Sequence, residues 1–94
     1  MIRMWEKNDD GDWESIELLG HTGEVTSVNW SPDGQSFISG SYDFTIRLWE
    51  KNDDGVWESI ELRGHRTPVK SVNWNPDGKS IISGSRDSTF RWFK

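Results

Sequence analysis

Short stretches of alternating polar and apolar residues run the length of the chain, separated by clusters of Asn, Asp, Pro and Gly, and no segment shows the spacing of a helical apolar face. Val25–Trp30 (VTSVNW) is β-branched and aromatic. It closes on Ser31-Pro32-Asp33-Gly34, with Pro and Gly at the places a β-turn favours. Ser36–Ser41 (SFISGS) reads as a second short strand and leads into a tight turn around Asp43. Thr45–Glu50 (TIRLWE) alternates cleanly and ends at Asn52-Asp53-Asp54-Gly55, another turn signal. Trp57–Leu62 (WESIEL) alternates again and ends at Gly64-His65. Four short antiparallel strands are expected here, with no helix between them.

The same series occurs twice. Trp5 recurs as Trp49, Trp13 as Trp57, His21 as His65, Trp30 as Trp74 and Asp43 as Asp87, always 44 residues apart. Glu6–Gly11 is repeated without change as Glu50–Gly55. Two units are expected, about residues 6–49 and 50–93, within one domain of residues 1–94. That period, with four strands per unit, is the period of a propeller blade. The fold class expected is all-β, with two four-stranded antiparallel propeller blades per chain.

The residues also resemble the WD-repeat family over nearly the whole chain. Gly20-His21, Val25, Val28, Trp30-Ser31-Pro32-Asp33-Gly34, Ser39-Gly40-Ser41, Asp43 and Thr45-Ile46-Arg47-Leu48-Trp49 stand in that family's order and spacing. The second copy repeats them from Gly64-His65 to Asp87, and Glu50 stands where the family usually has Asp after the last Trp. The resemblance implies a hydrogen-bonded chain of a His, a second-strand Ser, a turn Asp and a third-strand Trp. In the first copy these are His21, Ser39, Asp43 and Trp49; in the second they are His65, Ser83 and Asp87, with Phe93 where Trp belongs. The chemistry is coherent, since Asp can hold one imidazole nitrogen, the Ser hydroxyl the other, and the indole N–H can donate to Ser.

A catalytic Ser-His-Asp triad uses the same residue types. This set repeats in each unit, lies between strands and has no oxyanion-hole signature beside it, so its expected role is structural, with no catalytic residue and no enzyme activity. Phe93 has no N–H to give, whereas Ile2-Arg3-Met4-Trp5-Glu6, a third copy of the third strand, carries one on Trp5.

Glu6, Asn8, Asp10, Gly11 and Glu17 have the offsets of a calcium-binding EF-hand loop, repeated at Glu50, Asn52, Asp54, Gly55 and Glu61. Position one of such a loop should be Asp, and here the flanks read as strands; solvated hairpin loops are expected, with no metal and no other cofactor. With no Cys, disulfides and thiolate metal sites are excluded. A net charge of −5 argues against nucleic acid as a partner. No apolar run is long enough for a signal peptide or a membrane span, so a cytoplasmic protein without a membrane partner is expected. Although only 32% of residues are hydrophobic, seven Trp, four Phe and one Tyr are rings that must be buried somewhere.

Two blades leave two open apolar sides, and stable stacks of repeats need about three or more units. Propellers close the circle, typically with about 4–8 blades. The partner expected is therefore the chain itself, in a closed β-propeller completed by homo-oligomerisation. Three, four or five chains would suffice, and four chains with eight blades are the expectation. From the N-terminus the strands read third, fourth, first, second, third, fourth, first, second, third, so residues 1–18 can complete a neighbour's final blade head to tail. Two segments then compete for the third place in that blade, Ile2–Glu6 of the neighbour and Thr89–Lys94 of the same chain. The short tether at Asp87 favours the local one, with Ile2–Glu6 displaced to the rim or paired elsewhere.

The function expected is that of a non-enzymatic scaffold binding a protein or peptide on its loop face, as the resemblance implies. The copies differ most at residues 22–24 against 66–68, and at Tyr42 and Phe44 against Arg86 and Ser88. Tyr42, Phe44, Arg66 and Arg86 are the candidate interaction residues. One alternative is a ligand-binding ring, lectin-like or calcium-binding, with one site per blade. Another is a natural or engineered fragment of a longer propeller with no function of its own, which near-identical copies and a start inside a strand would suit.

Overall fold

The computed structural model describes residues 2–85 and the backbone of Phe90–Phe93. Nine strands follow one another: β1 (Ile2–Lys7), β2 (Trp13–Leu18), β3 (Val25–Trp30), β4 (Ser36–Ser41), β5 (Thr45–Lys51), β6 (Trp57–Arg63), β7 (Val69–Trp74), β8 (Ile81–Ser85) and β9 (Phe90–Phe93). Among the described residues they form three antiparallel sheets and no helix, in the orders β1-β2, β3-β4-β5-β6 and β7-β8-β9.

Local chemistry sets the turns. In the β5–β6 hairpin Gly55 donates its N–H to the Asn52 carbonyl at 3.0 Å, and the Asn52 side-chain oxygen accepts from the N–H groups of Asp54 and Val56. Gly55 sits at φ 81°, a left-handed position that glycine adopts without penalty. The β1–β2 hairpin repeats this with Asn8 and Gly11.

Cross-strand register sorts the side chains of β3–β6 onto two faces. Asn29, Ile38, Leu48 and Ile60 share one, and Trp30, Phe37, Trp49 and Ser59 the other. On the first face, Ile38 and Ile46, with Leu48 and Leu62, pack against Val69, Val72, Trp74 and Ile81 of the next sheet. On the second, Phe37, Trp49 and Trp57 pack against Ile2, Met4 and Leu18 of the β1–β2 hairpin. Phe37 stacks on Trp49 at 5.7 Å between ring centres and is met by Trp30 edge-on at 5.3 Å. Hairpin, four-stranded sheet and three-stranded sheet thus stand in a row, each turning the same face to its successor.

The sheets approach closely near the inner strands. A Cβ on Gly40 would lie 2.7 Å from Val69 Cγ1, so the contact admits only glycine there without a shift. Thr26 Oγ1 donates to the Val69 carbonyl at 2.6 Å, and Asn29 Nδ2 donates to the Val72 carbonyl.

One expectation is corrected. Only β3–β6 is a four-stranded blade within the chain; the second blade has three strands among the described residues, because β2, the counterpart of β6, is held by β1 in the N-terminal hairpin. Of the two places expected for Ile2–Glu6, the chain shows pairing elsewhere and not the rim. β1 pairs with β2 from Ile2↔Leu18 to Lys7↔Trp13 and buries Ile2 and Met4, while β9 pairs with β8 from Ile81↔Phe93 to Gly84↔Phe90. Within one chain each copy of the third strand is held by its own short hairpin, so neither displaces the other.

Candidate interaction face and the network beneath it

The loops between β2 and β3, β4 and β5, and β6 and β7 gather at one end of the sheets. Under the first two lies a chain of side chains. His21 Nδ1 is 2.9 Å from Asp43 Oδ2, His21 Nε2 is 2.7 Å from Ser39 Oγ, and Trp49 Nε1 donates to Ser39 Oγ at 3.0 Å. With the imidazole proton on Nδ1, every donor in the chain points the same way: indole to hydroxyl, hydroxyl to Nε2, Nδ1 to carboxylate. The sheet supplies Ser39 and Trp49 from adjacent strands, and the turn supplies Asp43.

Asp43 is the anchor. Thr45 donates to its Oδ1 through both N–H and Oγ1, and the Thr22 N–H donates to Oδ2. Burial pushes the Asp43 carboxyl upward, but the hydrogen bonds from Thr45, His21 and the Thr22 backbone outweigh it, and the pKa falls to about 2. In the second copy His65 Nε2 lies 2.6 Å from Ser83 Oγ, with both residues buried. Asp87 and Arg86 lie outside the described residues.

The distances among Ser39, His21 and Asp43 are those a catalytic triad would use. Their setting is different. Ser39 has no exposed surface, and its hydroxyl oxygen is enclosed between imidazole and indole, so no substrate carbonyl reaches it. What the arrangement does chemically is tie the loop before β3 to the turn after β4.

That turn presents Tyr42 and Phe44, both exposed. The Tyr42 N–H donates to the Glu24 carbonyl at 2.9 Å, joining the two loops. Phe44 takes φ 73°, a left-handed conformation unfavourable for an aromatic residue, and is flanked by the Asp43 and Thr45 contacts that hold it there. Arg66, in the corresponding loop of the second copy, is exposed.

At the opposite end, the EF-hand spacing does not become a ligand set. Asn8 and Asn52 give their side-chain oxygens to the turns, and Glu17 pairs with Arg3 at 2.8 Å within the hairpin. Among the described residues no three His, Asp or Glu side chains gather around a point that could hold a metal. None of the described segments is a helix able to cross a membrane.

Sequence reasoning assigned no hydrogen-bonding role to Thr45, Thr26 or Asn29. The legible signal for the last was Asn29 recurring as Asn73, a polar residue on the face that otherwise carries Ile38 and Leu48.

A family model described as WD domain, G-beta repeat, matches residues 13–50 and 58–94. Each match begins on the fourth strand of one blade and ends on the third strand of the next, so sequence repeat and blade are one strand out of step. No curated protein matches the chain. The matches cover most of the chain, and the chain belongs to the WD-repeat family.

Proposed function

We propose that this chain is a non-enzymatic scaffold unit that closes into a propeller with copies of itself, four chains giving eight blades. WD-repeat domains generally mediate protein–protein interactions, and Tyr42, Phe44 and Arg66 on the loop face are the residues that would meet a protein or peptide. The His21–Ser39–Asp43–Trp49 chain keeps that face in shape.

One observation carries the self-assembly. The repeat gives each residue a counterpart in the other copy, and the ends of the row leave counterparts bare. Val72 is 1% exposed, yet its equivalent Val28 is 49% exposed; Ile38 is 0% exposed, yet its equivalent Ile82 is 47% exposed. Val28 and Ile82 belong to the two halves of one contact, the Ile38–Val72 contact already made inside the chain. A second copy brings those halves together, and repetition of this head-to-tail step closes a ring where the rotation per copy divides a full turn, as four two-blade copies would do in an eight-bladed propeller.

Light scattering on the purified chain tests this. A folded species with the mass of four chains is expected, and a folded single chain would overturn the proposal.

A further inference from the structure

We infer that copies join by strand exchange: β7 and β8 of one copy enter the cleft beside β1 of the next, β1 takes the edge of β8 that β9 holds in the single chain, and β9 is released. This rests on the self-assembly reading above and specifies its joint.

The cleft exists in the single chain. It lies between the unpaired edge of β1 and the inner strands of blade one, and Ile2, Met4, Trp5, Val28, Trp30 and Phe37 line it. In blade one the corresponding space is filled, because β3 and β4 lie inside β5 in the same sheet. The hairpin is therefore the outer half of a blade whose inner half is missing. Its construction is that of β5–β6: Arg3 donates to Ser15 and Glu17 as Arg47 donates to Ser59 and faces Glu61. The three-stranded sheet at the other end of the chain carries the missing inner half, β7–β8, with the register of β3–β4: Val69↔Ser85 through Trp74↔Ile81 against Val25↔Ser41 through Trp30↔Phe37.

An edge of β8 holds one strand, so β1 and β9 are exclusive there. Three observations favour β1. The first is sequence: β5 carries Ile-Arg-Leu-Trp-Glu, β1 carries Ile-Arg-Met-Trp-Glu, and the third copy of that segment, residues 90–94, reads Phe-Arg-Trp-Phe-Lys. β1 is thus the closer copy of the strand that already fits this place in blade one. Second, a tryptophan in that place is buried: Trp49 is 2% exposed, whereas its counterpart Trp5 stands 58% exposed.

The third is what each outcome breaks. Keeping β9 on β8 while adding β2 as the fourth strand requires β1 to leave β2, a ladder of six residue pairs, and uncovers Ile2 and Met4. Exchange breaks only the β8–β9 ladder, four pairs among the described residues, and replaces it with an equivalent one. Backbone hydrogen bonds then balance, and the apolar surface of Val28, Trp30, Ile82 and Trp5 is covered in addition.

The chain lacks cysteine, so paired cysteines report the partner of β8 directly. Ile38 pairs with Leu48 in blade one; the counterpart of Ile38 is Ile82, and the counterparts of Leu48 are Met4 in β1 and Trp92 in β9. Directly opposed residues in antiparallel strands lie within disulfide reach. Met4→Cys with Ile82→Cys and, separately, Ile82→Cys with Trp92→Cys would be made, checked by light scattering, oxidised and run on a denaturing gel. Expected are covalent multi-chain species from the first pair and none within the chain from the second. An internal link from the second pair, or no link from the first, in variants that still assemble would overturn the exchange and leave the ring reading standing. A folded single-chain mass for the unmodified protein would overturn the ring reading itself.

Discussion

Inside the chain, Ile38 of blade one packs with Val69 and Val72 and disappears from solvent; at the two ends, the same residue types on the same strands stand half-exposed. Val28 and Val72 share a strand position, a register and a neighbouring Asn-Trp. They differ only in what lies over them. Stability in such a row belongs to the contact between neighbouring units more than to any unit alone, so the inner and outer versions of one contact should respond differently to the same substitution.

The largest difference is expected at the isoleucines. Ile38→Ala removes a wholly buried side chain and should cost about 2–5 kcal/mol, whatever the chain concentration. Ile82→Ala trims a half-exposed side chain of the single chain, but a buried one of the proposed assembly. Its effect should therefore appear as a lower melting temperature that recovers as protein concentration rises. Thermal melts across a hundredfold dilution series separate the two. Equal, concentration-independent losses would break the comparison by showing that Ile82 is covered without a second copy.

A smaller effect is expected from the network under the loop face. His21→Ala should cost about 1–3 kcal/mol through loss of a buried hydrogen-bonded group. Asp43→Asn should do the same near neutral pH, with a pH signature. The carboxyl falls from 3.8 to about 2 in the folded chain, so its contribution is fully present above the unfolded value and is lost as pH falls through the folded one. The melting-temperature gap between the unmodified chain and Asp43→Asn should be constant above about pH 5 and shrink towards pH 2. A gap that persists at pH 2 would show that the charge of Asp43 is not what matters. Esterase assays on both variants should match the unmodified chain, since Ser39 is enclosed.

Much of this was readable before any coordinates. Strand limits fell within a residue of the alternating runs because Asn-Asp-Asp-Gly and Ser-Pro-Asp-Gly are turns with local hydrogen bonds of their own, needing no tertiary partner to form. His21, Ser39, Asp43 and Trp49 were legible as a group because each recurs with the unit or stands in the family's order. What stayed hidden depends on distant backbone. Thr26 and Asn29 bond to carbonyls 43 residues away, and a strand-face polar residue could equally have faced water. The left-handed Phe44 was also illegible, since that conformation is one a sequence assigns to Gly or Asn. Within the chain β9 holds the edge of β8, as its short tether favours, but the burial of Ile2 and Met4 by the N-terminal hairpin had no signal in the sequence.

The smallest effect sharpens the comparison most, because it concerns a single hydrogen bond. Asn29 Nδ2 donates to the Val72 carbonyl across the joint inside the chain. The equivalent pair is Asn73, exposed at one end of the chain, and the carbonyl of Val28, at the other end in the cleft beside β1. No single chain can bring these two together, since they are the two ends of one row. A head-to-tail joint aligns them by repetition of the geometry already present. Asn29→Ala should lower stability by about 0.5–1.5 kcal/mol, the net value of one such bond, and should do so in any state of assembly. Asn73→Ala should weaken association by a comparable amount, near tenfold in the dissociation constant per joint at the upper end. Sedimentation velocity over a concentration series measures that shift. If Asn73→Ala leaves association untouched while Ile82→Ala weakens it, copies meet through the apolar face but not in the register of the internal joint, and the alignment of β7 with the next copy's β3 is wrong.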